Sequence, residues 1–152
     1  IKKKNVYENA RAFFDKNNKY FNIHLSFASI YDLKKRRKIY LNIKKNKKYK
    51  FPVIISKNSY ISKSAKINEG SILMNGSIVN ANSFIGKNVV INTNALIEHD
   101  VNINDNCHIS TGAIINGGVK IGKNCFIGSR AVIKENKIIP DNSFIKMGSV
   151  IK

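Results

Sequence analysis

The chain has 152 residues, 43% of them hydrophobic and 24% charged, which suits a globular protein of one ordinary domain or of one domain and a piece of another. No apolar run approaches the ~20 residues of a membrane-spanning helix, so no membrane insertion is expected. Two cysteines with no Cys-x-x-Cys pair exclude a disulfide scaffold and a zinc knuckle. The net charge of +18 is uneven: residues 1–50 hold 16 Lys or Arg against 3 Asp or Glu, and residues 51–152 hold 11 against 6.

A basic arm of this kind can mark a nucleic-acid footprint. No nucleic-acid-binding motif accompanies it here. The chain also holds 25 Ile and 22 Asn. Ile, Asn and Lys are the residues that an AT-rich genome over-uses, so the charge reads as proteome bias and no nucleic-acid partner is expected. Ile1 is followed at once by Lys2, Lys3 and Lys4, which is not a signal peptide. Without an initiating Met, the sequence is expected to be a piece of a longer protein.

In chain order, Tyr7 to Asp15 reads as a short helix and Phe21 to Ala28 as a strand. Asp32 to Lys45 reads as a helix with an Asp cap and basic later turns. Residues 1–50 are thus expected to be the remnant of a small α/β domain. A linker, Lys47 to Phe51, ends at Pro52.

A hexad repeat takes over from there. Every sixth position from Ile55 to Ile151 is aliphatic, seventeen in all, with no break in register. Four residues after each comes a second column, from Ser59 to Ser149, in which fifteen of sixteen residues are small and Lys137 is the exception. The position before that column is Asn or Gly in thirteen of sixteen hexads. One large aliphatic, one small residue and one residue tolerant of positive φ predict a short strand and a corner per hexad. Three hexads then make one triangular coil of 18 residues, and coils stack at the ~4.8 Å strand spacing. The predicted fold for residues 53–152 is therefore mainly β, a parallel β-helix of a little over five coils. Cys107 and Cys125 both fall in the small column, one coil apart, and are expected to be reduced core thiols, which fits the cytoplasm.

Most outer positions are ordinary polar residues. The segment Leu96-Ile97-Glu98-His99-Asp100-Val101 differs. Two residues after an inward Ile, His99 is predicted to face outward near a corner, between Ala81 below and Gly117 above. Asp100 falls between Asn82 and Gly118. An imidazole between small neighbours has room for a ligand beside it, and His is the side chain best suited to proton transfer at neutral pH.

Three runs carry a resemblance: Ile91-Asn92-Thr93-Asn94-Ala95-Leu96-Ile97-Glu98-His99-Asp100, Cys107-His108-Ile109-Ser110-Thr111-Gly112-Ala113 and Gly117-Gly118-Val119-Lys120-Ile121-Gly122. Over residues 53–152 the chain resembles hexapeptide-repeat acyltransferases, and these runs resemble the core of their NeuD/PglD branch. That branch contains sialic acid O-acetyltransferases and N-acetyltransferases of UDP-linked 4-amino sugars. The resemblance implies a left-handed β-helix, a homotrimer, acetyl-CoA as co-substrate and no metal. It implies His99 as general base, Asp100 as its orienting partner, His108 near the thioester, and cofactor contacts near Ser129 and Met147. Thr111, Ser129 and Met147, 18 residues apart, form one vertical column along the expected cofactor groove. The resemblance also makes residues 1–50 a remnant of a Rossmann-like domain that binds a nucleotide sugar. The branch's Gly-rich opening strand-turn does not occur in the chain, which reads Ile30-Tyr31 and Ile55-Ser56-Lys57 where members often have Ile-Gly and Ile-His-Pro. The expected activity is acetyl transfer to an amino or hydroxyl group of a nucleotide-linked sugar for bacterial surface glycan synthesis, in the cytoplasm. The alternatives are another small acceptor and an inactive truncated member.

Rival readings fit the residues less well. A γ-type carbonic anhydrase needs three histidines around zinc, and only His99 and His108 lie in the repeat. An ice-binding β-helix needs a flat Thr array, and the repeat has only Thr93 and Thr111. His24 is assigned no role. Outer Phe84, Val90, Leu96, Ile114, Phe126 and Phe144 are expected to form apolar surface that a trimer would cover.

Overall fold

The structure, a computed structural model, describes residues 10–13, 21–25 and 33–152. The chain divides into two compact units, Ile1–Pro52 and Val53–Lys152.

In the first unit, β1 (Ala10–Phe13) pairs antiparallel with β2 (Phe21–Leu25), and β2 pairs parallel with β3 (Tyr49–Lys50). Helix α1 (Leu33–Lys44) lies between β2 and β3 in sequence, so β2-α1-β3 is a short βαβ crossover. Ala10–Phe13 is a strand, not part of the helix expected over Tyr7 to Asp15. A helix that short is marginal on its own, and the ladder against β2, with Arg11 opposite His24, supplies the hydrogen bonds instead. The Asp32 cap and residues 26–28 of the expected strand lie outside the described residues. Helix α1 buries Arg36, Tyr40 and Ile43, spaced i, i+4 and i+7, and leaves Lys34, Lys35, Arg37 and Lys38 exposed. Tyr40 meets Phe51 edge-on at 4.7 Å, and Ile23 and Leu25 complete this small core. Arg36 donates from Nη1 to Leu25 O at 2.7 Å. Its burial pushes the guanidinium down to about 10, so it stays charged at neutral pH. Burial, and then the charge of Arg36, push the His24 imidazole down.

The second unit is the solenoid, running from β4 (Ile54–Ile55) to β20 (Val150–Ile151) in strands of two residues. They form three parallel faces of six, six and five strands. Face 1 starts at Ile54–Ile55, face 2 at Tyr60–Ile61 and face 3 at Lys66–Ile67. Every strand pairs with the residues 18 before or after it, as in Val90 with His108 and His108 with Phe126. The second residue of each strand points inward, and from Leu73 to Ile133 that column is essentially solvent-free.

The corners explain the rest of the hexad. Fourteen consecutive corners, from Gly70 to Gly148, hold a residue at positive φ. Twelve are Asn or Gly; Asp100 (φ 59°) and Arg130 (φ 55°) adopt the same conformation. The small column closes these corners. Ser71 Oγ donates to Gly86 O at 2.7 Å and accepts from Val89 N at 3.0 Å. Ser83 Oγ donates to Glu98 O at 2.6 Å. Cys107 and Cys125 occupy the same role, with Sγ donating to Gly122 O at 2.9 Å and Pro140 O at 3.1 Å. Both thiols are free and buried. The hydrogen bond with Cys125, and then burial, push the Cys107 thiol up, so it is an inert donor and not a nucleophile.

The outer column is uneven. On face 1, Ile72, Val90, His108 and Phe126 are buried, and only Phe144 at the last coil is exposed. Val90 and Phe126 therefore do not belong to the exposed apolar surface that the sequence suggests. Phe84 on face 3 and Phe144 on the last coil are exposed as expected, and the apolar exposure extends to Tyr60, Ile78 and Val150 on face 2 and to Ile138 on face 3.

If the inward column holds the solenoid, Ile109→Ala should cost about 2–5 kcal/mol through lost burial and a cavity. Neutralising Lys34, Lys35 or Lys38 should each cost less than about 0.5 kcal/mol. Urea titrations of the full chain give both values, and equal losses would show that the core column does not dominate.

Candidate active site

His99 and Asp100 follow β11 (Leu96–Ile97) and form the corner that leads to β12 (Asn102–Ile103). Hydrogen bonds to the coils on either side fix the backbone here. Asp100 N donates to Ala81 O at 2.9 Å, and Gly118 N donates to His99 O at 3.0 Å. With its backbone spent in this way, the corner projects both side chains into solvent. They are 63% and 57% exposed.

His99 Nδ1 lies 2.8 Å from Asp100 Oδ2. An ionised carboxylate only accepts, so the proton of this bond belongs to Nδ1. The opposite nitrogen, Nε2, then carries the lone pair of the neutral ring. Asp100 Oδ1 accepts a second hydrogen bond, from Asn82 Nδ2 at 3.2 Å. The bond from His99, followed by that from Asn82, holds the Asp100 carboxyl below its usual range. Its folded-state value is depressed, so any stabilisation it gives is full above the ordinary carboxylate range and fades as pH falls through the depressed value.

Above the pair, two glycines make the room. A Cβ on Gly117 would lie 2.8 Å from both Cε1 and Nε2 of His99, so the imidazole occupies the space that any other residue would fill. Gly118 takes the positive φ of its corner, 70°, directly above Asp100. A groove of about 480 Å³ results, lined by Glu98, His99, Asp100, Asn116, Gly117, Gly118, Glu135 and Asn136. Glu98 Oε2 accepts from Asn80 Nδ2 at 3.0 Å. The part played by Asn82 and the presence of Glu135 were not read from the sequence. The period does contain them: Asn82 is one coil below Asp100, and Glu135 two coils above His99.

The remaining predicted residues lie elsewhere on the solenoid. His108 opens β13 (His108–Ile109) on face 1 and is only 3% exposed. Its ring lies 5.3 Å from Phe126, which stacks on Phe144 at 4.9 Å. Its Nε2 is 3.5 Å from Asn92 Nδ2. Ser129 and Met147 sit at the corner between faces 1 and 2, in register with Thr111, and Met147 is 75% exposed. None of the three lines the His99 groove. Among the described residues, no group of three or more His, Cys, Asp or Glu side chains is placed to hold a metal ion, and no helix is long and apolar enough to cross a membrane.

Comparison with known proteins follows the same lines. The family signature of the bacterial transferase hexapeptide (six repeats) matches residues 100–135. A search of curated proteins by sequence gave no match. Among solved structures, perosamine N-acetyltransferase from Caulobacter crescentus, in complex with CoA and GDP-perosamine, aligns with a TM-score of 0.77 and 26% identity over 80% of this chain and 57% of that one. The acetyltransferase domain of PglB from Neisseria gonorrhoeae aligns with a TM-score of 0.77 and 31% identity over 80% of this chain and 58% of that one. The same domain in complex with acetyl coenzyme A gives 0.74 and 30%, over 79% and 60%. The repeat and the left-handed β-helix are those of the hexapeptide-repeat acyltransferases. Within them, the chain is of the NeuD/PglD type. It spans three-fifths or less of the length of these solved structures.

Gly117→Ala should displace the imidazole without unfolding the solenoid, because only the side chain of His99 stands in the way. A crystal structure or the ring signals of His99 by NMR would show the movement. An unmoved ring would mean that the clearance is not needed.

Proposed function

We propose that the chain is the catalytic part of an acetyl-CoA-dependent acetyltransferase acting on an amino or hydroxyl group of a nucleotide-linked sugar, for bacterial surface glycan synthesis. The observation that carries this reading is the outward His99, bonded at Nδ1 to Asp100 and set against Gly117 one coil above. The acceptor approaches Nε2, which takes its proton as the nitrogen or oxygen attacks the thioester carbonyl; the C–S bond then breaks, and the CoA sulfur leaves as the thiol with the proton that the imidazolium returns. Asp100 keeps the proton of the ring on Nδ1 and balances the charge of the imidazolium that forms. The oxyanion needs a separate donor. The N–H of Gly118 is already spent on His99 O, so the donor is sought among the other groups of the groove or from a second subunit.

Acetyl-CoA would be held by His108, Ser129 and Met147. Met147 and Phe144 give the corner between faces 1 and 2 an exposed apolar edge suited to a pantetheine arm. This edge and the His99 corner, between faces 2 and 3, are different edges of one prism. Joining them in one site requires the edge of a neighbouring subunit, so the reading includes a homotrimer. The exposed apolar residues of face 2 would be covered in it. The first unit is read as part of a domain for the nucleotide sugar, and the location as cytoplasmic. Support comes from the solved relatives, one in complex with CoA and GDP-perosamine and another with acetyl coenzyme A.

His99→Ala should lower acetyl transfer from acetyl-CoA to a nucleotide-linked amino sugar by about 10²–10⁴-fold while leaving the fold intact. A thiol-release assay reads this, and near-normal turnover would remove His99 from the mechanism. Light scattering at micromolar concentration should give the mass of three chains. A monomer would rule out the shared site.

A further inference from the structure

The corners of the solenoid show one side-chain arrangement made twice between amides and once, at the His99 corner, in altered form. On the corner between faces 3 and 1, Asn88 Nδ2 donates to Asn106 Oδ1 at 3.0 Å, and Asn124 Nδ2 donates to Asn142 Oδ1 at 3.0 Å. In each case an amide donates upward to an amide one coil above, and both residues hold the positive φ of the corner. This is a structural rung. At the His99 corner the lower member is again an Asn, Asn82 at φ 58°, but the upper member is Asp100. The rung survives, since Asn82 Nδ2 still donates to Oδ1. The change replaces the amide nitrogen of the upper residue by a second acceptor, Oδ2, and that atom meets His99 Nδ1. Above Asp100 the ladder stops, because position 118 is Gly.

We propose that Asn82 is a positioning residue for the His99–Asp100 pair: its amide pins one carboxylate oxygen so that the other faces Nδ1 and Nε2 is left to the groove. A carboxylate on an exposed corner is otherwise free to rotate, and a 57% exposed side chain has little packing to stop it. The backbone bonds of Asp100 fix its Cα, not its side-chain torsion. Among the described residues, the Asn82 bond is what fixes the oxygens, apart from the bond made to His99 itself. Asn82 is held in turn from below, since its own N–H donates to Ser64 Oγ at 3.0 Å. The other carboxylates around the imidazole do not take the place of Asp100. Glu98 is bound by Asn80, and Glu135 lies 3.9 Å from Lys134 Nζ. The inference rests on the proposed role of His99 only for its effect on rate; the geometry is tested separately.

The test uses the full chain labelled with ¹³C-Asp and ¹⁵N-His. Asn82→Gly removes the amide and keeps the corner, because Gly accepts the positive φ without strain, as it does at Gly118. The Asp100 carboxyl should then titrate at higher pH than in the wild type, and the His99 nitrogens should show a mixture of tautomers in place of the Nδ1–H form. Asn82→Asp should move the Asp100 titration further upward, by like-charge repulsion. Acetyl transfer should fall by roughly 10-fold or more in kcat, the scale on which misplaced catalytic groups act. Asn124→Gly, the same exchange in a purely structural rung, should leave the Asp100 titration and the His99 tautomer unchanged. A folded Asn82→Gly protein with wild-type titration and tautomer would overturn the proposal. A wild type that shows the Nδ1–H tautomer, its loss in Asn82→Gly, and no acetyl transfer to any acceptor would support the role of Asn82 and count against the acetyltransferase reading instead.

Discussion

The structure depends on one constraint, the registration of each residue directly beneath the residue 18 positions later. The strands make their backbone hydrogen bonds between coils, as in Ser110 N to Ile127 O at 2.9 Å, while bonds within a coil are confined to turns such as Ala113 N to Ser110 O at 3.1 Å. Any local insertion would shift every inward Ile above it out of the core. The seventeen strands hold that register without a break, and the inward column closes around an interior with no exposed face from Leu73 to Ile133. A short chain gains from this arrangement because each hexad meets the same two neighbours, so local sequence alone decides whether the stack continues.

The same registration builds the site. Coil-to-coil stacking places side chains that are 17 or 18 residues apart within hydrogen-bonding distance on a rigid wall. His99 meets Gly117, and Asp100 meets Asn82, through that vertical order alone. Structural and functional corners use one backbone conformation, and the difference between them is a few side-chain atoms. An Asn-to-Asp change supplies an acceptor for the imidazole, and a Gly one coil above clears its space. A rigid wall also suits a general base, since the preorganisation comes from the fold and not from ordering a loop when substrate binds.

Much of the second unit was legible in the sequence because its period is strict. The aliphatic column, the Asn and Gly corners, the small column with Cys107 and Cys125, and the outward His99 flanked by Gly117 could all be counted off in sixes. What could not be counted was side-chain direction at the corners. The sequence places Asn82 beside Asp100, but not the hydrogen bond between them, which depends on two torsions. It places His108 on an outer position, yet the structure finds it buried against Phe126, because an outer column can still be covered. The first unit was less legible for the opposite reason: without a period, short segments such as Ala10–Phe13 take their conformation from a partner strand distant in sequence.

The chemistry proposed here reduces to a distance, that between Nε2 of His99 and the atom that accepts the acetyl group. A crystal structure of the protein with CoA and a nucleotide-linked amino sugar measures it directly. The account predicts an acceptor nitrogen within about 3.2 Å of Nε2, or linked to it through one water, with the thiol of CoA reaching the same groove. An acceptor bound with its amine out of reach of His99, or CoA seated away from this corner, would contradict it.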